Sequence, residues 1–401
     1  MCVAWGEHKV VDQRKKFVDA CIDNKLTMAE LCRIHEISPK NGYKWLNRYK
    51  AEGIDGLKDR SRAPHNQALQ IGPELIEDIL EVRFRFPTWG PKKVLSFLER
   101  EHPDMPWPST TTIGNIFDKN GLTVPRKLRK RVPARTAPLS HCLISNDVWC
   151  ADFKGWFLTR DGSKCEPFTL TDGASRFLLR CLRLDSNNTE HVWAVLDAAF
   201  REYGLPYFFR SDNGPPFATC GAGRLSKLSV NLIKAGVIPE WIDPGKPQQN
   251  GRHERMHQTL KNETANPPEL NLEEQSMKFK DFRYYYNHVR PHEAIDQKTP
   301  GSIYCTSPRV WNGKLQEPEY SNEMIVRKVR PSGQISLKPF ASEINIGTAL
   351  VGEHIGLKEV GECVYEVYYG PITLGKIDHT KKLILPVGNI RKRIEFKRER
   401  N

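Results

Sequence analysis

The spacing of hydrophobic positions changes twice along the chain. Over the first 120 residues it is helical. Val11, Val18, Cys21 and Ile22, with Phe17 alongside, line one face of segment 11–23. Thr27 and Glu30 form a Thr-x-x-Glu capping box, and Leu31 and Ile34 continue the face of the helix it opens. Ser38-Pro39 then supplies an N-cap and a proline at the first helical position. The helix so started carries Tyr43, Trp45, Leu46 and Tyr49, with Lys40, Lys44 and Arg48 interleaved. Three helices with a tight turn before the third predict a helix-turn-helix. Lys40, Asn41, Lys44 and Arg48 would then face bases or phosphates. A small helical bundle that binds protein would show the same pattern. Segment 72–120 repeats the logic, with starts at Pro73, Gly90-Pro91 and Pro108-Ser109 and a stop at Asn120-Gly121, and predicts a second such unit.

From 147 onward short apolar runs alternate with longer helical ones. Residues 147–158, 166–172 and 176–184 read as three strands, followed by a helix over about 188–203. A strand ending at Arg210, a helix over roughly 225–235, a strand at 237–242 and a helix around Glu254 complete a mixed α/β core. From about 322 the runs become short and β-rich (MIVRKVR, ISLK, CVYEVYYG, ITLGKI, KKLILP), punctuated by glycines, and predict a small antiparallel barrel. These shifts set expected boundaries: a helix-turn-helix domain at 1–65, a second at 66–124, a basic linker at 125–140, the α/β core at 141–310, the β domain at 320–390 and a basic tail at 391–401.

Charge alters this picture by its distribution. The 401 residues hold 61 Lys and Arg against 48 Asp and Glu, a net +13. Residues 1–140 hold 25 against 17, residues 141–310 hold 21 against 20, and residues 311–401 hold 15 against 11. The excess therefore sits on the flanks and points to a polyanion, nucleic acid before membrane. Segment 125–137 contributes Arg126, Lys127, Arg129, Lys130 and Arg131 between two prolines. It reads as an extended phosphate-tracking linker, or as a solvated tether. No run approaches the ~18 apolar residues of a membrane span. Ten scattered cysteines without a Cys-x-x-Cys pair, and a start lacking a signal-peptide stretch, suggest reduced thiols and a cytoplasmic protein.

Within the neutral core three acids fall at element ends: Asp152, Asp212 and Glu254. Grouped carboxylates repel one another unless a cation intervenes, and hard oxygen donors suit Mg²⁺ or Mn²⁺. Three can hold two such ions, the arrangement for in-line attack on a phosphodiester. Taken singly, each acid could be a turn former or cap. Asp172, in Leu-Thr-Asp-Gly-Ala-Ser-Arg, reads as a turn residue. Tyr284-Tyr-Tyr-Asn287 reads as core and interface. His253-Glu-Arg-Met-His257 matches the His-Glu-x-x-His zinc signature. Arg252 and Arg255 beside it, and Leu260 and Glu263 where a longer signature needs Gly and His, oppose that reading.

Several segments together resemble insertion-sequence transposases of the Asp-Asp-Glu type, whose core is of retroviral-integrase kind. They are Trp149-Cys-Ala-Asp152-Phe-Lys-Gly; Arg210-Ser-Asp212-Asn-Gly-Pro-Pro-Phe; Pro247-Gln-Gln-Asn-Gly-Arg-His-Glu254-Arg-Met-His-Gln-Thr-Leu-Lys261; Tyr286-Asn-His-Val-Arg-Pro-His-Glu-Ala; and Thr299-Pro-Gly-Ser-Ile-Tyr. The resemblance implies a ribonuclease-H-like core, an SH3-like C-terminal barrel, and Asp152, Asp212 and Glu254 as catalytic residues holding two Mg²⁺ or Mn²⁺ ions, with no zinc. It implies that Lys261 contacts transposon-end DNA; Lys246 and Arg252 are further candidate DNA contacts. Double-stranded DNA and further copies of the chain are the expected partners, in a bacterial cytosol or nucleoid, with no membrane. The alternatives are an inactive helix-turn-helix regulator of the same descent and, remotely, a zinc protease. Forty-one residues separate Asp212 from Glu254, where the family often has about 35; the insert-like segment 220–229 accounts for the excess.

Overall fold

The structure is a computed structural model. It describes residues 10–60, 71–123, 139, 141–153, 155–243, 251–337, 343–378 and 383–384. The chain divides into two compact units, Met1–Gly72 and Pro73–Asn401.

In the first unit, α1 (Val10–Ile22), α2 (Met28–Ile34) and α3 (Pro39–Glu52) enclose Phe17, Val18, Leu31, Cys32, Trp45 and Leu57. The capping box forms: the Thr27 hydroxyl accepts from the Glu30 amide, and the Glu30 carboxylate accepts from the Thr27 amide at 2.8 Å. Ser38 caps α3, with Pro39 at its first position. Arg14 closes the bundle, stacked 3.8 Å over Trp45 and donating to the Leu57 carbonyl.

The second unit opens with α4 (Pro73–Arg85), α5 (Pro91–Glu101) and α6 (Thr110–Lys119), which share Ile79, Val94, Leu98, Ile113 and Phe117 as buried side chains. The central sheet follows: β1 (Val148–Phe153), then β4 (Pro167–Asp172) and β5 (Leu178–Arg183) as an antiparallel meander, then α7 (Thr189–Tyr203). β6 (Phe208–Ser211) and β7 (Ile238–Trp241) add parallel to β1, joined through α8 (Lys227–Lys234). The order β5-β4-β1-β6-β7 makes a mixed sheet. It is the ribonuclease-H-like arrangement implied by the resemblance.

Two helices, α9 (Gly251–Thr264) and α10 (Leu272–Tyr284), cover one face of the sheet, and α7 covers the other. Alternation along each strand decides which side chain meets which layer. Trp149, Ala151, Phe168, Leu170 and Phe209 point into the α7 layer, where Val192, Leu196, Ala199 and Phe200 fill the core. The intervening positions, Cys150, Asp152, Thr169, Thr171 and Arg210, therefore share the α9 side.

Sequence and structure differ in three places. The strand expected over 147–158 ends at Phe153. The chain then forms a separate hairpin, β2 (Phe157–Leu158) with β3 (Lys164–Cys165), held to the start of α10 by Arg160 and Asp161 amides donating to the Glu269 and Leu270 carbonyls. In the C-terminal β region the expected β8 (Ile325–Lys328), β9 (Gln334–Ser336), β12 (Val364–Tyr369), β13 (Ile372–Ile377) and β14 (Leu383–Ile384) are present. Two strands were not expected: β10 (Glu343–Asn345), pairing with β9, and β11 (His354–Gly361). Gly356 breaks the apolar alternation of β11. Its missing Cβ makes room for the Tyr320 ring, which would lie 2.4 Å from it. The sheet order is β14-β13-β12-β11-β8, antiparallel throughout.

The third difference gives segment 220–229 a role. Its 3-10 turn, Ala222–Arg224, leads into α8, and Ala222, Leu225, Val230 and Ile233 share one core with Ile335, Leu357, Tyr369 and Leu374. Gly223, at φ +59°, lies where a Cβ would come within 2.8 Å of Leu374. Lys234 pairs with Glu353 at 3.1 Å, and Glu353 also accepts from the Tyr369 hydroxyl. The extra residues between Asp212 and Glu254 thus form the seat of the β domain. Among the described residues no helix is long and apolar enough to cross a membrane.

Candidate active site

Asp152 lies near the end of β1, and Asp212 immediately follows β6. The parallel register pairs Cys150 with Arg210, the last pair of the ladder, and Asp152 and Asp212 each follow that pair by two residues, at the same end of the sheet. The Asp212 carboxylate accepts from the Gly214 amide at 3.2 Å, which turns the chain back immediately after it.

Glu254 lies in the first turn of α9 and is exposed. The opposite face of that helix buries His253, Met256, His257, Leu260 and Thr264, the i, i+3, i+4, i+7 and i+11 positions of one stripe. Glu254 and Lys261, seven residues apart, lie on the open side. Among the described residues no three His, Cys, Asp or Glu side chains gather closely enough to enclose one ion. The structure thus puts the two aspartates at the same end of neighbouring strands and Glu254 on the covering helix, without drawing all three into one cluster.

The two histidines of the zinc-like motif are used otherwise. The Thr169 hydroxyl lies 2.9 Å from His253 Nε2, 2.7 Å from His257 Nε2 and 3.1 Å from the Asp152 carbonyl oxygen. One hydroxyl donates once and accepts twice, so three partners exhaust it. Its proton goes to the carbonyl, which can only accept, and both rings donate through Nε2–H. His257 Nδ1 lies 3.9 Å from the Asp152 carboxylate. Both rings are buried, at 2% and 5% exposure, while Glu254 faces away from them. Burial pushes the His253 pKa down to about 3. The zinc-protease reading therefore has no support, because its two imidazoles are pinned into the sheet. The motif is a node that fastens α9 onto β4 beside Asp152.

Asp172 is the turn residue expected, and more. It is 1% exposed and accepts from the amides of Asn146 and Ser175 and from the Ser175 hydroxyl. Burial raises its pKa. The Tyr-Tyr-Tyr-Asn segment divides its work. Tyr284 is exposed, Tyr285 and Tyr286 pack inward, and the Asn287 amide pairs with both the amide and the carbonyl of Leu178 on the edge strand β5.

His292, in Arg-Pro-His-Glu, was missed as a titrating group. Its Nε2 lies 3.1 Å from the Tyr286 carbonyl, and burial, aided by nearby Lys93, Arg290 and Arg176, pushes its pKa down to about 3. A histidine depressed on folding binds fewer protons than in the unfolded chain between about pH 6.5 and 3. Its stabilising contribution is therefore complete above pH 6.5 and is lost as the pH falls toward 3. Urea denaturation should show stability falling over that window by a few kcal/mol. His292→Gln should flatten part of the fall; an unchanged pH profile in that variant would refute the assignment.

On α3, Lys40, Asn41 and Lys44 are exposed. Arg48 is half-buried, its guanidinium 5.3 Å from the Trp45 ring. Arg126, Lys127, Arg129, Lys130, Arg131 and Lys246, the tail 391–401 and the side chain of Arg252 lie outside the described residues.

A mixed sheet carrying two edge aspartates, covered by a helix bearing a glutamate, defines an integrase-type core joined to helical modules. Family models agree: "Integrase core domain" matches residues 144–247 and, in a second model, 235–300. "Helix-turn-helix domain" matches 13–65, and "Homeodomain-like domain" matches 41–117. The chain therefore carries an integrase core domain preceded by helix-turn-helix domains. It is 24% identical over 204 residues to the insertion element IS476 uncharacterized 39.2 kDa protein of Xanthomonas euvesicatoria, covering 50% of this chain and 57% of that protein. It is 24% identical over 242 residues to the insertion element IS407 uncharacterized 31.7 kDa protein of Burkholderia multivorans, covering 60% and 82%. Solved structures with likeness include the HTLV-2 integrase catalytic core domain in complex with magnesium. It has 16% identity and a TM-score of 0.33, covering 41% of this chain and 99% of that one. A simian T-cell lymphotropic virus intasome has 14% identity and a TM-score of 0.36, covering 77% and 100%.

Proposed function

We propose that the chain is a DNA transposase that cuts at the ends of its element and joins the freed 3′-hydroxyl to target DNA. What supports this reading is that Asp152, near the end of β1, and Asp212, just after the parallel neighbour β6, lie at the same sheet end, beneath the helix that bears Glu254.

The donors are three carboxylates, none of them hidden within the core, a set that fits Mg²⁺ or Mn²⁺ better than zinc. Asp152, Asp212 and Glu254 would hold the ions. Bound there, the metal supplies activation of the attacking oxygen and neutralisation of the leaving one. The protein's own part is positioning. The sheet fixes the two aspartates, and the Thr169 node fixes the helix of Glu254. Lys261, on the same open side as Glu254, supplies a cation to the phosphate backbone.

In this reading the helical modules before residue 124 bind terminal inverted repeats. Lys40, Asn41, Lys44 and Arg48 make contacts from α3. Arg126, Lys127, Arg129, Lys130, Arg131, Lys246 and Arg252 add phosphate contacts along the linker and core. Two ends must be joined in one event, so copies of the chain assemble on DNA, in the cytosol. The C-terminal sheet acts as an SH3-like contact module seated on 220–229.

The test uses the full chain, Mg²⁺ and labelled duplexes of the DNA bordering its gene. Nicking or joining is the expected result. Binding with neither would favour the inactive regulator.

A further inference from the structure

The second helical module is locked to the catalytic helix. The Trp89 indole, 0% exposed, donates to the Tyr285 hydroxyl at 2.7 Å. Phe86 stacks on Trp89 with centroids 4.0 Å apart and lies 5.7 Å from the Tyr285 ring. The same Tyr285 hydroxyl accepts from Arg290 at 3.1 Å. Thr88 donates to Glu263 at 2.9 Å, and Glu263 belongs to α9 itself, nine residues after Glu254. Further along, Ser96 donates to the Gln297 carbonyl and Arg100 to that of Val289.

This joint is aromatic, buried and hydrogen-bonded on both sides. A flexible tether would need none of those features, and a helix pair merely resting on a core would not bury a tryptophan completely. At the other end of the module, α6 turns Ile113, Ile116 and Phe117 inward and leaves Thr111, Asn115 and Lys119 exposed. Arg83 ties the end of that helix down by donating to the Leu122 carbonyl and stacking over Phe117. A continuous packed path therefore runs from the open face of α6, through α5 and Trp89, to Glu263 and so to Glu254.

We propose that the module Pro73–Lys119 is a fixed ruler: Trp89 and Tyr285 hold α6 at a set distance from Asp152 and Glu254, so that the phosphodiester attacked lies a set number of base pairs from the bases α6 touches. The inference rests on the transposase reading. It assigns Trp89, Tyr285 and Glu263 as positioning residues, none of which touches the reacting atoms. A displaced reacting group costs rate steeply, since a misplacement of about 1 Å can cost on the order of a hundredfold. Cleavage position is thus a sensitive readout of the joint.

The experiment maps cut positions at nucleotide resolution, using the full chain, Mg²⁺ and labelled duplexes of the DNA bordering its gene. Wild type should cut at one phosphodiester. Tyr285→Phe, which keeps the ring and removes the hydroxyl that accepts from Trp89 and Arg290, and Trp89→Phe, which removes the indole donor and also leaves a cavity beside Phe86, should scatter cuts over neighbouring phosphodiesters. They should also slow the main cut roughly tenfold to a hundredfold while leaving duplex affinity within about twofold. Cutting at the wild-type position and rate in both variants would overturn the ruler. So would a loss of affinity that parallels the loss of rate, which would mean that the joint only holds the fold together.

Hydrogen exchange on the wild-type chain separates this failure from failure of the broader reading. The amides of α5 and α9 should open as one cooperative unit. A chain that cuts DNA while these helices exchange independently would overturn the ruler alone. A chain that binds the duplexes and neither cuts nor joins them would overturn the transposase reading, and the ruler with it.

Discussion

Asp152→Asn should lower strand transfer by at least about a thousandfold while leaving duplex binding within about twofold. The asymmetry follows from where Asp152 sits. It is half-buried near the end of β1, on the α9 side, whereas the DNA contacts of α3 are placed on a different compact unit of the chain. An asparagine has the same shape and keeps the backbone carbonyl that accepts from Thr169. It removes the negative charge a divalent cation requires. Asp212→Asn should behave alike, because Asp212 follows the parallel neighbour strand at the same sheet end as Asp152. Glu254→Gln should also lose transfer, and it is the most discriminating of the three. Glu254 is exposed, so of the three its substitution disturbs the packed interior least. Strand transfer at the wild-type rate by any of these variants would remove that residue from the site. Mg²⁺ withdrawal by a chelator should give the same loss in wild type and restore on readdition.

The elements were legible where local chemistry is strong. The Thr27–Glu30 box, the Ser38-Pro39 start and the α7 stripe each contain their own instruction, and the structure follows them. That Asp152 and Asp212 fall at strand ends was legible from the apolar runs before them and from the Ser-Asp-Asn-Gly turn. What sequence could not carry was assembly. Nothing local in Cys-Gly-Ala-Gly-Arg-Leu says that Ala222 and Leu225 complete the core of a domain more than a hundred residues later. Likewise Trp89 and Tyr285 each read as ordinary aromatics, and only the fold brings their polar ends together. The histidines show the same limit from the other side. Their i, i+4 spacing on a helix is the same for a zinc site and for a buried fastening, and the difference lies in the threonine across from them.

That threonine gives the second large effect. Thr169→Val should cost about 2–5 kcal/mol in stability and slow strand transfer roughly tenfold to a hundredfold, whereas Thr169→Ser should stay near wild type. Valine conserves shape and removes one oxygen, but that oxygen serves three partners. Two buried imidazole N–H groups lose their acceptor, each at the cost of an unsatisfied polar group, and the Asp152 carbonyl loses a donor. Relief by reorientation is limited, since His253 and His257 lie edge to face at 4.9 Å within a packed helix–sheet interface. The stability loss follows from burial alone. The rate loss follows only if the node also positions α9, so the two readouts separate the roles. Urea midpoints and transfer rates measured below each variant's unfolding transition would decide. A Thr169→Val chain that is destabilised yet transfers strands at full rate would confine the node to stability. One that is neither destabilised nor slowed would refute the hydrogen-bond node itself, and with it the reason the histidines of α9 are unavailable to zinc.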